Sequence, residues 1–448
     1  MATPSTAPNR WLIAVAGTIV MICLGTVYSW SSFTQPLIAS FNWSNQTTTW
    51  AFAVAIFFVG WGAVVGGRWQ DKAGPRIVML IGVLLWGLGN LLAGLGTAQL
   101  GAPWLYLTYG VIGGFGNGMA YITPLATVTK WFPDKRGLAS GMVVMGFGLG
   151  AFFYGFLLKA IAPFQVASKH AGAFADAKAA AVAAHTTFDP TAYALGGADI
   201  SAIMGTFVAT GIGIAIIGGI AAAIMRNPPD GYTVPGAIAA AASTQPSYTP
   251  TQVLRSPQFY LLWLMLFLNV TAGILIISNA VPIIRELTGA AAAVAVPAYG
   301  LVAIFNGLGR FFWGAVSDRI GRNYAFALIF GLQFLVFLVL AGLHSLPLVL
   351  GAFAIVLLCY GGGFGTMPSF NADYFGTKYL GINYGMIITA WGFAGLVGPL
   401  LAAKVKDATG SFSGALVPVA IMLLVATILP FITKKPSAAA VLSAMVKT

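Results

Sequence analysis

The sequence contains few charged residues, few histidines and few cysteines. Charged residues fill 7% of its 448 positions, and only ten of them are Asp or Glu, whereas ordinary soluble domains contain about 25% charged residues. Both cysteines, Cys23 and Cys359, lie in apolar stretches, which excludes a disulfide framework or a thiolate cluster. The three histidines are too scattered for a metal site, and no nucleophile–base constellation occurs in the apolar stretches. We therefore predict no metal, no cofactor and no enzymatic activity.

Apolar residues dominate the remainder of the chain. They make up 58% of it, the mean hydropathy is +0.88, and apolar runs of about 20 residues, the length of a transmembrane helix, recur throughout. The first run continues well past 15 residues without a cleavage site, which predicts a retained helix rather than a signal peptide. We predict an all-α integral membrane protein in contact with lipid, with twelve transmembrane helices near residues 11–36, 48–67, 77–98, 103–130, 138–163, 202–225, 258–284, 292–316, 323–343, 347–371, 381–404 and 413–433.

The distribution of basic residues predicts the orientation of the chain. The net charge of +12 could point to nucleic acid, but the Lys and Arg residues stand singly or in small groups between the hydrophobic runs. If both termini are cytoplasmic, fifteen of the 22 basic residues lie on the cytoplasmic side and six on the other side. The positive-inside rule therefore places both termini in the cytoplasm. We expect a multi-pass protein of a bacterial inner membrane that acts as a monomer and binds no nucleic acid.

Two longer polar segments interrupt the hydrophobic runs, at residues 164–201 and 226–257. The second is rich in Pro, Ser and Thr and lies between the sixth and seventh predicted spans. It divides the chain into an N-terminal six-helix half, residues 1–225, and a C-terminal six-helix half, residues 258–448, with residues 226–257 as a cytoplasmic linker.

A short loop pattern repeats at equivalent places in the two halves. GRWQDKAGPR follows the second span and GAVSDRIGR follows the eighth, and both keep Gly, Asp, a basic residue, Gly and Arg in that order. The glycines allow a tight turn, while the charged side chains can lock neighbouring helix ends. We predict conformational gating roles for Asp71, Arg76, Asp318 and Arg322.

With these twin loops the sequence resembles the major facilitator superfamily. Within that superfamily it is similar to the group of the oxalate/formate antiporter and the monocarboxylate transporters. The matching stretches are NRW (9–11), YSW (28–30), KWFPDKRGLASG (130–141), LRSPQFYLLW (254–263), FNGLGRFFWG (305–314) and NYG (383–385). The resemblance implies a major facilitator fold, a substrate site between the halves, and alternation between inward-open and outward-open states; repeat-built transporters generally bind substrate near the membrane midplane.

Arg310 is a single cation inside an apolar run. It precedes Asp318 by eight residues, or about 12 Å along a helix. Burying it costs several kcal/mol unless it is paired or hydrated, and all ten acidic residues fall in loops or at the ends of spans. A substrate carboxylate could supply the missing partner, because a guanidinium binds carboxylates bidentately; the alternative is that Arg310 snorkels to the interface. The resemblance favours the first interpretation, since the matching arginine of the family binds substrate carboxylate.

Asn306 and Trp391 bear on the charge of the site and of its substrate. Asn306 lies one turn before Arg310 and can hold substrate, orient the guanidinium or bond another helix. The animal monocarboxylate transporters carry Asp at this position and use it in proton coupling, a role that Asn cannot take. The antiporter carries a lysine where this chain has Trp391, which either lines the site or only packs. One cation in place of two predicts a substrate with one negative charge.

Aromatic residues are expected to shape the rest of the site, because tyrosine combines an apolar wall with a hydroxyl. Tyr121 and Tyr360 fall in corresponding helices of the two halves, and Tyr28 and Phe364 are further candidates; core packing is the alternative for each. Met145 and Phe147 could fill a methyl-sized subsite.

These features predict a secondary active transporter of small monocarboxylates similar to lactate or pyruvate, driven by proton symport through alternating access. Two alternatives stay open. One is a carboxylate exchanger of the oxalate/formate type, and the other is a membrane receptor or channel without coupled transport, which the twin loops disfavour.

Overall fold

A computed structural model describes residues 9–184, 186–229, 231–232, 234, 247–290, 292–409 and 411–436. The first part of the chain forms helices α1 (Arg10–Gly25), α2 (Ser31–Phe41), α3 (Asn45–Ala73), α4 (Pro75–Leu105), α5 (Gly114–Trp131), α6 (Arg136–Ala160), α7 (Ala162–Ala183) and α8 (Gly197–Ile224). The second part forms α9 (Pro250–Leu254), α10 (Pro257–Thr288), α11 (Ala292–Val302), α12 (Ile304–Ile320), α13 (Arg322–Leu340), α14 (Leu346–Phe375), α15 (Leu380–Thr409), α16 (Ser413–Ala426) and α17 (Leu429–Ile432). Three short segments of other helical types, Thr26–Trp30, Tyr106–Gly113 and Pro190–Tyr193, connect neighbouring helices.

The described residues contain ten helical stretches that are long and apolar enough to cross a membrane. One of them, Pro75–Trp131, has 57 residues, which is about 85 Å of helix and enough for two spans. It divides near Gly101, whose φ is 73°. The broken pair α11 and α12 supplies one more span, which gives the twelve-helix architecture that the sequence predicts.

Two of the predicted spans are interrupted by helix breaks, and these breaks affect the positions of Tyr28 and Asn306. The predicted helix 11–36 is interrupted by a 3₁₀ turn over Thr26–Trp30, and the predicted helix 292–316 is divided between α11 and α12 at Ala303. A continuous apolar run does not reveal such a break, because hydrophobicity is the same on either side of it. The first break displaces Tyr28 from a regular helical position, and the second starts α12 shortly before Asn306.

The segment 164–201 differs from the polar connection expected from the sequence. Most of the segment lies in α7 or at the start of α8. The buried residues of α7 are Phe164, Ala167, Ala171 and Phe174. These residues recur at intervals of three and four, so they share one helix face. That face packs against α2 and α8, with the rings of Phe33 and Phe164 5.2 Å apart. The many alanines of this segment favour a helix, because alanine has the highest helix propensity.

Part of the predicted linker 226–257 lies outside the described residues, namely 230, 233 and 235–246. Its last portion is ordered by a capping box in which Thr249 and Gln252 each bond the other's backbone N–H. The backbone N–H of Tyr248 donates to the carbonyl of Phe375 at 2.9 Å. This end of the segment therefore rests on the turn between α14 and α15.

The first six spans contact the last six, backbone against backbone, at the end of the bundle that carries the two repeated loops, here named the motif end. A Cβ atom placed on Gly67 would lie 2.2 Å from the carbonyl oxygen of Gly381. One placed on Gly137 would lie 2.2 Å from the carbonyl oxygen of Gly314. Only glycine permits backbones to approach this closely, so the motif end is tightly closed at two places.

Candidate functional site

Arg310 lies on α12 and is fully buried. Its Nε donates to Oδ1 of Asn306 at 3.2 Å, and Nη2 donates to the hydroxyl of Tyr28 at 3.3 Å. Both partners are neutral, and no ion pair in the described part of the chain involves Arg310. Its Nη1 has no hydrogen-bond partner among the described residues. The snorkelling alternative is therefore not what the structure shows, since the guanidinium stays inside the bundle.

Aromatic rings surround the guanidinium. Its Cζ lies 4.8 Å from the ring centre of Phe364, 5.3 Å from Phe147 and 6.0 Å from Tyr28. Ring faces attract a cation at such distances, and the attraction grows when water is excluded. Phe147 lies on α6, so a ring from the first six spans contacts the guanidinium, which belongs to the last six. The sequence indicated Phe147 only weakly, as one filler of an apolar subsite.

Two tyrosines beside Arg310, Tyr28 from the first six spans and Tyr360 from the last six, contact each other through their hydroxyls. The hydroxyls of Tyr28 and Tyr360 lie 3.1 Å apart, so the contact to the guanidinium continues into α14. Tyr360 is held from behind by α10, where the amide of Asn269 donates to its carbonyl at 3.2 Å. A Cβ on Gly273 would lie 2.2 Å from the Tyr360 ring. Tyr28 keeps partial exposure, which makes it the most accessible member of this group.

Trp391 occupies the centre of the aromatic cluster. Its ring centre lies 5.1 Å from Phe364, 5.5 Å from Phe147, 5.7 Å from Tyr121 and 6.1 Å from Tyr28. It is fully buried and does not face lipid. The indole therefore lies in the interior of the cluster and not at its periphery.

The structure brings together all seven residues that the sequence singled out for the site, namely Tyr28, Tyr121, Asn306, Arg310, Tyr360, Phe364 and Trp391. They come from five different spans, α5, α12, α14 and α15 together with the 3₁₀ turn after α1. We name this group the Arg310 cluster. Sequence reasoning missed Tyr384, which is almost fully buried beside Tyr121. Its place in the NYG stretch, seven residues before Trp391 and thus on the same helix face, was the available signal.

A separate polar cavity lies within the first six spans. It is lined by Thr26, Trp30, Phe33, Asn90, Tyr109, Tyr154, Phe207 and Thr210. Its volume of about 10 Å³ is at the lower limit for one water molecule. None of these residues belongs to the Arg310 cluster, so the cavity is not the substrate site. Among the described residues, no group of three or more His, Cys, Asp or Glu side chains could hold a metal ion.

The two motif carboxylates each cap a helix across the motif end. Asp71 accepts from the backbone N–H groups of Gly381 and Ile382 at 3.1 and 2.9 Å, at the start of α15. Asp318 accepts from those of Gly137 and Leu138 at 2.9 and 2.8 Å, at the start of α6. A helix N-terminus favours a negative charge because its first N–H groups are unpaired. Each carboxylate thus joins one six-span set to the other.

The two motif arginines are not equivalent. Arg322 bonds Asp318 at 2.7 Å and Asp373 at 2.9 Å. Asp373 is also 3.0 Å from Arg136 on α6, which extends the charge network across the motif end. Arg76 is exposed, and no hydrogen bond or ion pair described for the chain involves it. The side of the motif end formed by α6 and α12 is therefore more densely bonded than the side formed by α3 and α15.

Comparisons with known proteins agree with this architecture. A family model described as the Major Facilitator Superfamily matches residues 15–168, 171–399 and 276–446. The oxalate:formate antiporter of Oxalobacter formigenes is 29% identical over 90% of this chain and 86% of its own length. Apicoplast pyruvate carrier 1 of Toxoplasma gondii is 27% identical over 85% of this chain and 81% of its own length. Monocarboxylate transporter 13 of Rattus norvegicus is 29% identical over 30% of each chain.

Solved structures show the same fold. The transporter FucP in the outward conformation aligns with a TM-score of 0.69 at 15% identity, over 96% of this chain and 100% of its own. A double Trp mutant of XylE aligns with a TM-score of 0.72 at 13% identity, over 97% and 98%. The relatives are transporters and not enzymes, as the lack of catalytic constellations predicted. The chain belongs to the Major Facilitator Superfamily and is a multi-pass membrane transporter.

Proposed function

We propose that this protein is a secondary active transporter of small monocarboxylates similar to lactate or pyruvate. The observation that carries the proposal is the fully buried guanidinium of Arg310, which has only neutral hydrogen-bond partners and an unpaired Nη1. Such a cation is costly inside a membrane protein unless an anion reaches it. A carboxylate bound at Nη1 and Nη2 compensates the charge, because it matches the guanidinium fork.

The number of charges supports a monocarboxylate. Within the described ranges, Arg310 is the one Lys or Arg side chain in the aromatic cluster, and Trp391 occupies the position expected for a second cation. A second carboxylate would therefore be buried without a counter-charge, which is costly. The ring centres of Phe147 and Phe364 lie 5.3 and 4.8 Å from the guanidinium carbon, so the rest of a bound acid would meet aromatic rings and not a second charge.

We further propose that residues 1–225 and 258–448 move as two halves about the Arg310 cluster, with residues 226–257 as the linker. In this proposal the motif end is cytoplasmic, both termini lie on that side, and the protein acts as a monomer in a bacterial inner membrane. The caps formed by Asp71 and Asp318 hold the cytoplasmic side closed while substrate approaches from the other side. Opening them would release substrate inward.

Proton coupling is proposed to use the substrate itself. No carboxylate in the described part of the chain contacts Arg310, and Asn306 cannot take up a proton at its amide. A substrate that becomes protonated loses its charge and with it most of its attraction to Arg310, which gives the two forms different affinities, as coupling requires. The free guanidinium is meanwhile retained by Asn306 and Tyr28.

Exchange of carboxylates is a second candidate, supported by the similarity to an oxalate:formate antiporter over 90% of this chain. It predicts that a carboxylate must be bound for each half-cycle, so that Arg310 never returns unpaired. The two candidates differ in whether a proton moves and whether internal anion accelerates uptake.

Transport into proteoliposomes tests both candidates. The purified full-length protein is reconstituted, and uptake of radiolabelled lactate and pyruvate is followed together with external pH. Uptake that rises with an inward proton gradient and alkalinises the outside supports symport. Uptake without proton movement that is stimulated by internal formate or lactate supports exchange. Uptake no faster than in protein-free liposomes would refute both.

A further inference from the structure

The two helices that the motif carboxylates cap begin with the same geometry. Asp71 accepts from the backbone N–H groups of the second and third residues of α15, and Asp318 accepts from those of the second and third residues of α6. A carboxylate can bond both N–H groups only if the start of the helix is held at the right distance and angle. The contacts that fix the turn before each helix therefore also bear on the caps.

The linker contacts the turn between α14 and α15 through residues 247–248, here named the strap. The backbone N–H of Tyr248 donates to the carbonyl of Phe375, the last residue of α14, at 2.9 Å. The hydroxyl of Ser247 accepts from the backbone N–H of Lys378, within the turn, at 3.3 Å. The side-chain amide of Asn383, in the first turn of α15, donates to the carbonyl of Tyr248 at 3.1 Å. Two neighbouring residues thus bond the chain before, within and after the turn.

The turn before α6 is held in an equivalent way by the start of α1. Arg10 bonds both carboxylate oxygens of Asp134, at 2.7 and 3.3 Å, and its guanidinium carbon lies 4.5 Å from the ring centre of Phe132. Asp134 precedes the first residue of α6 by two positions, as Lys378 precedes the first residue of α15. In both six-span sets, residues at the entry to the first span therefore hold the turn that leads into the fifth span.

The two caps differ in how much ionic support they have. Asp318 has Arg322 as a partner at 2.7 Å. The ion pairs of the described residues do not include Asp71, which interacts with the charge of Lys130 only at longer range. A turn that loosens before α15 would therefore remove two N–H partners from Asp71 without an arginine to retain it.

We propose that Tyr248 and Asn383 are positioning residues for the Asp71 cap. Arg10 and Asp134 have the same role for the equivalent cap on α6. Both contacts stabilise the closed motif end, so the linker fixes the start of α15 and does not only connect the two halves. Asn383 is fully buried, so water does not replace its hydrogen bond when the bond is lost. This role rests on the proposed opening and closing of the motif end, and not on which acid is carried.

Thiol labelling of the full-length protein in proteoliposomes tests the strap. Ser369→Cys reports opening, because Ser369 faces α6 on the other side of the motif end. The background carries Cys23→Ala and Cys359→Ala, so that only the introduced thiol reacts. Asn383→Leu should speed labelling by about threefold to tenfold, the value of one neutral hydrogen bond. Asn90→Leu is the matched control, since it removes a buried amide-to-carbonyl bond within α4 and should leave the labelling rate unchanged.

Non-additivity separates positioning from a general loss of stability. The cap is already weakened in Asp71→Asn, so adding Asn383→Leu to that variant should change the labelling rate by less than about twofold. Ser247→Ala removes a single contact of the strap, and it provides the same comparison if Asn383→Leu does not reach the membrane. Labelling rates equal to that of the Ser369→Cys background, or the same fold-change with and without Asp71→Asn, overturn the strap.

The equivalent contact on α6 is tested in the same assay. Asp134→Asn should speed labelling of Ser369→Cys when Asp318 is present and should add little in Asp318→Asn, whereas an unchanged rate overturns the role of Arg10. Lactate uptake by the same preparations distinguishes this proposal from the proposed function. Strap-dependent labelling without uptake of any acid refutes monocarboxylate transport alone, and uptake with strap-independent labelling refutes the strap alone.

Discussion

Replacing Arg310 by methionine separates binding of the carboxylate from stability of the fold. Two charge-assisted hydrogen bonds to a carboxylate contribute about 1.5–3 kcal/mol each, or about 3–6 kcal/mol together. At about 1.4 kcal/mol per factor of ten, Arg310→Met should weaken carboxylate binding by about 10²- to 10⁴-fold. Arg310→Lys should also lose at least about tenfold, because an ammonium keeps the charge but not the fork.

Stability should respond differently from binding. The methionine side chain is unbranched like that of arginine but carries no charge. Replacing buried ionic groups by apolar ones is often neutral or stabilises the fold by about 1–4 kcal/mol. Against this, Oδ1 of Asn306 loses its donor, which costs about 1–3 kcal/mol, while the hydroxyl of Tyr28 keeps Tyr360. The two effects nearly cancel, so the melting temperature in detergent should stay close to that of the wild type.

The assay combines initial rates of lactate uptake in proteoliposomes with thermal unfolding of the same preparations. Arg285→Met serves as the matched control, since Arg285 is exposed at the end of α10 and should change neither quantity. An Arg310→Met variant that folds and transports lactate within tenfold of wild type would refute the assignment of the carboxylate to this guanidinium.

Three further predictions follow from the same geometry. Trp391→Lys should shift preference toward a dicarboxylate such as oxalate, and a folded variant that binds oxalate no better would contradict the charge count. Uptake should rise as external pH falls, and Asn306→Asp should alter the pH profile although coupling does not require it. Simultaneous recordings with a pH electrode and a radiolabelled substrate check both expectations. Uptake that does not depend on pH would count against proton symport. Asp318→Asn should weaken the cap on α6 by about 1–3 kcal/mol and so expose the seam where the hydroxyls of Ser140 and Ser369 lie 3.0 Å apart. Thiol labelling of Ser369→Cys should then be faster in Asp318→Asn than in the Asp318 background, and equal rates would argue against the capping role.

Much of the fold could be predicted from the sequence, because a membrane restricts the structures that can cross it. Spans of about 20 apolar residues can cross a bilayer only as helices that satisfy their own hydrogen bonds, so runs such as 258–284 predicted α10 closely. The repeated loops identified two related sets of spans. The breaks at Thr26–Trp30 and Ala303 were not predictable, because they depend on contacts made by neighbouring helices.

The sequence also predicted seven members of a candidate site, and the strongest of these predictions has a similar physical reason. A lone arginine in an apolar run is conspicuous by its cost, which is why Arg310 was identified. Tyr384 was not identified, and Phe147 was named only as one filler of an apolar subsite, since an aromatic residue in a membrane span is usually packing and its neighbours in sequence do not distinguish the two cases.

The sequence by itself therefore determined the membrane class, the twelve spans and the presence of an unpaired buried cation. These follow from hydrophobicity and charge, which are properties of each residue. Only the tertiary structure decided that Asn306 and Tyr28 hold the guanidinium, and that Asp71 and Asp318 cap helices of the opposite six-span set. It also decided that Arg76 is exposed, without a hydrogen bond or ion pair among the described residues. Those outcomes depend on distances between helices far apart in the chain, and such distances are fixed by packing of the whole bundle and not by local sequence.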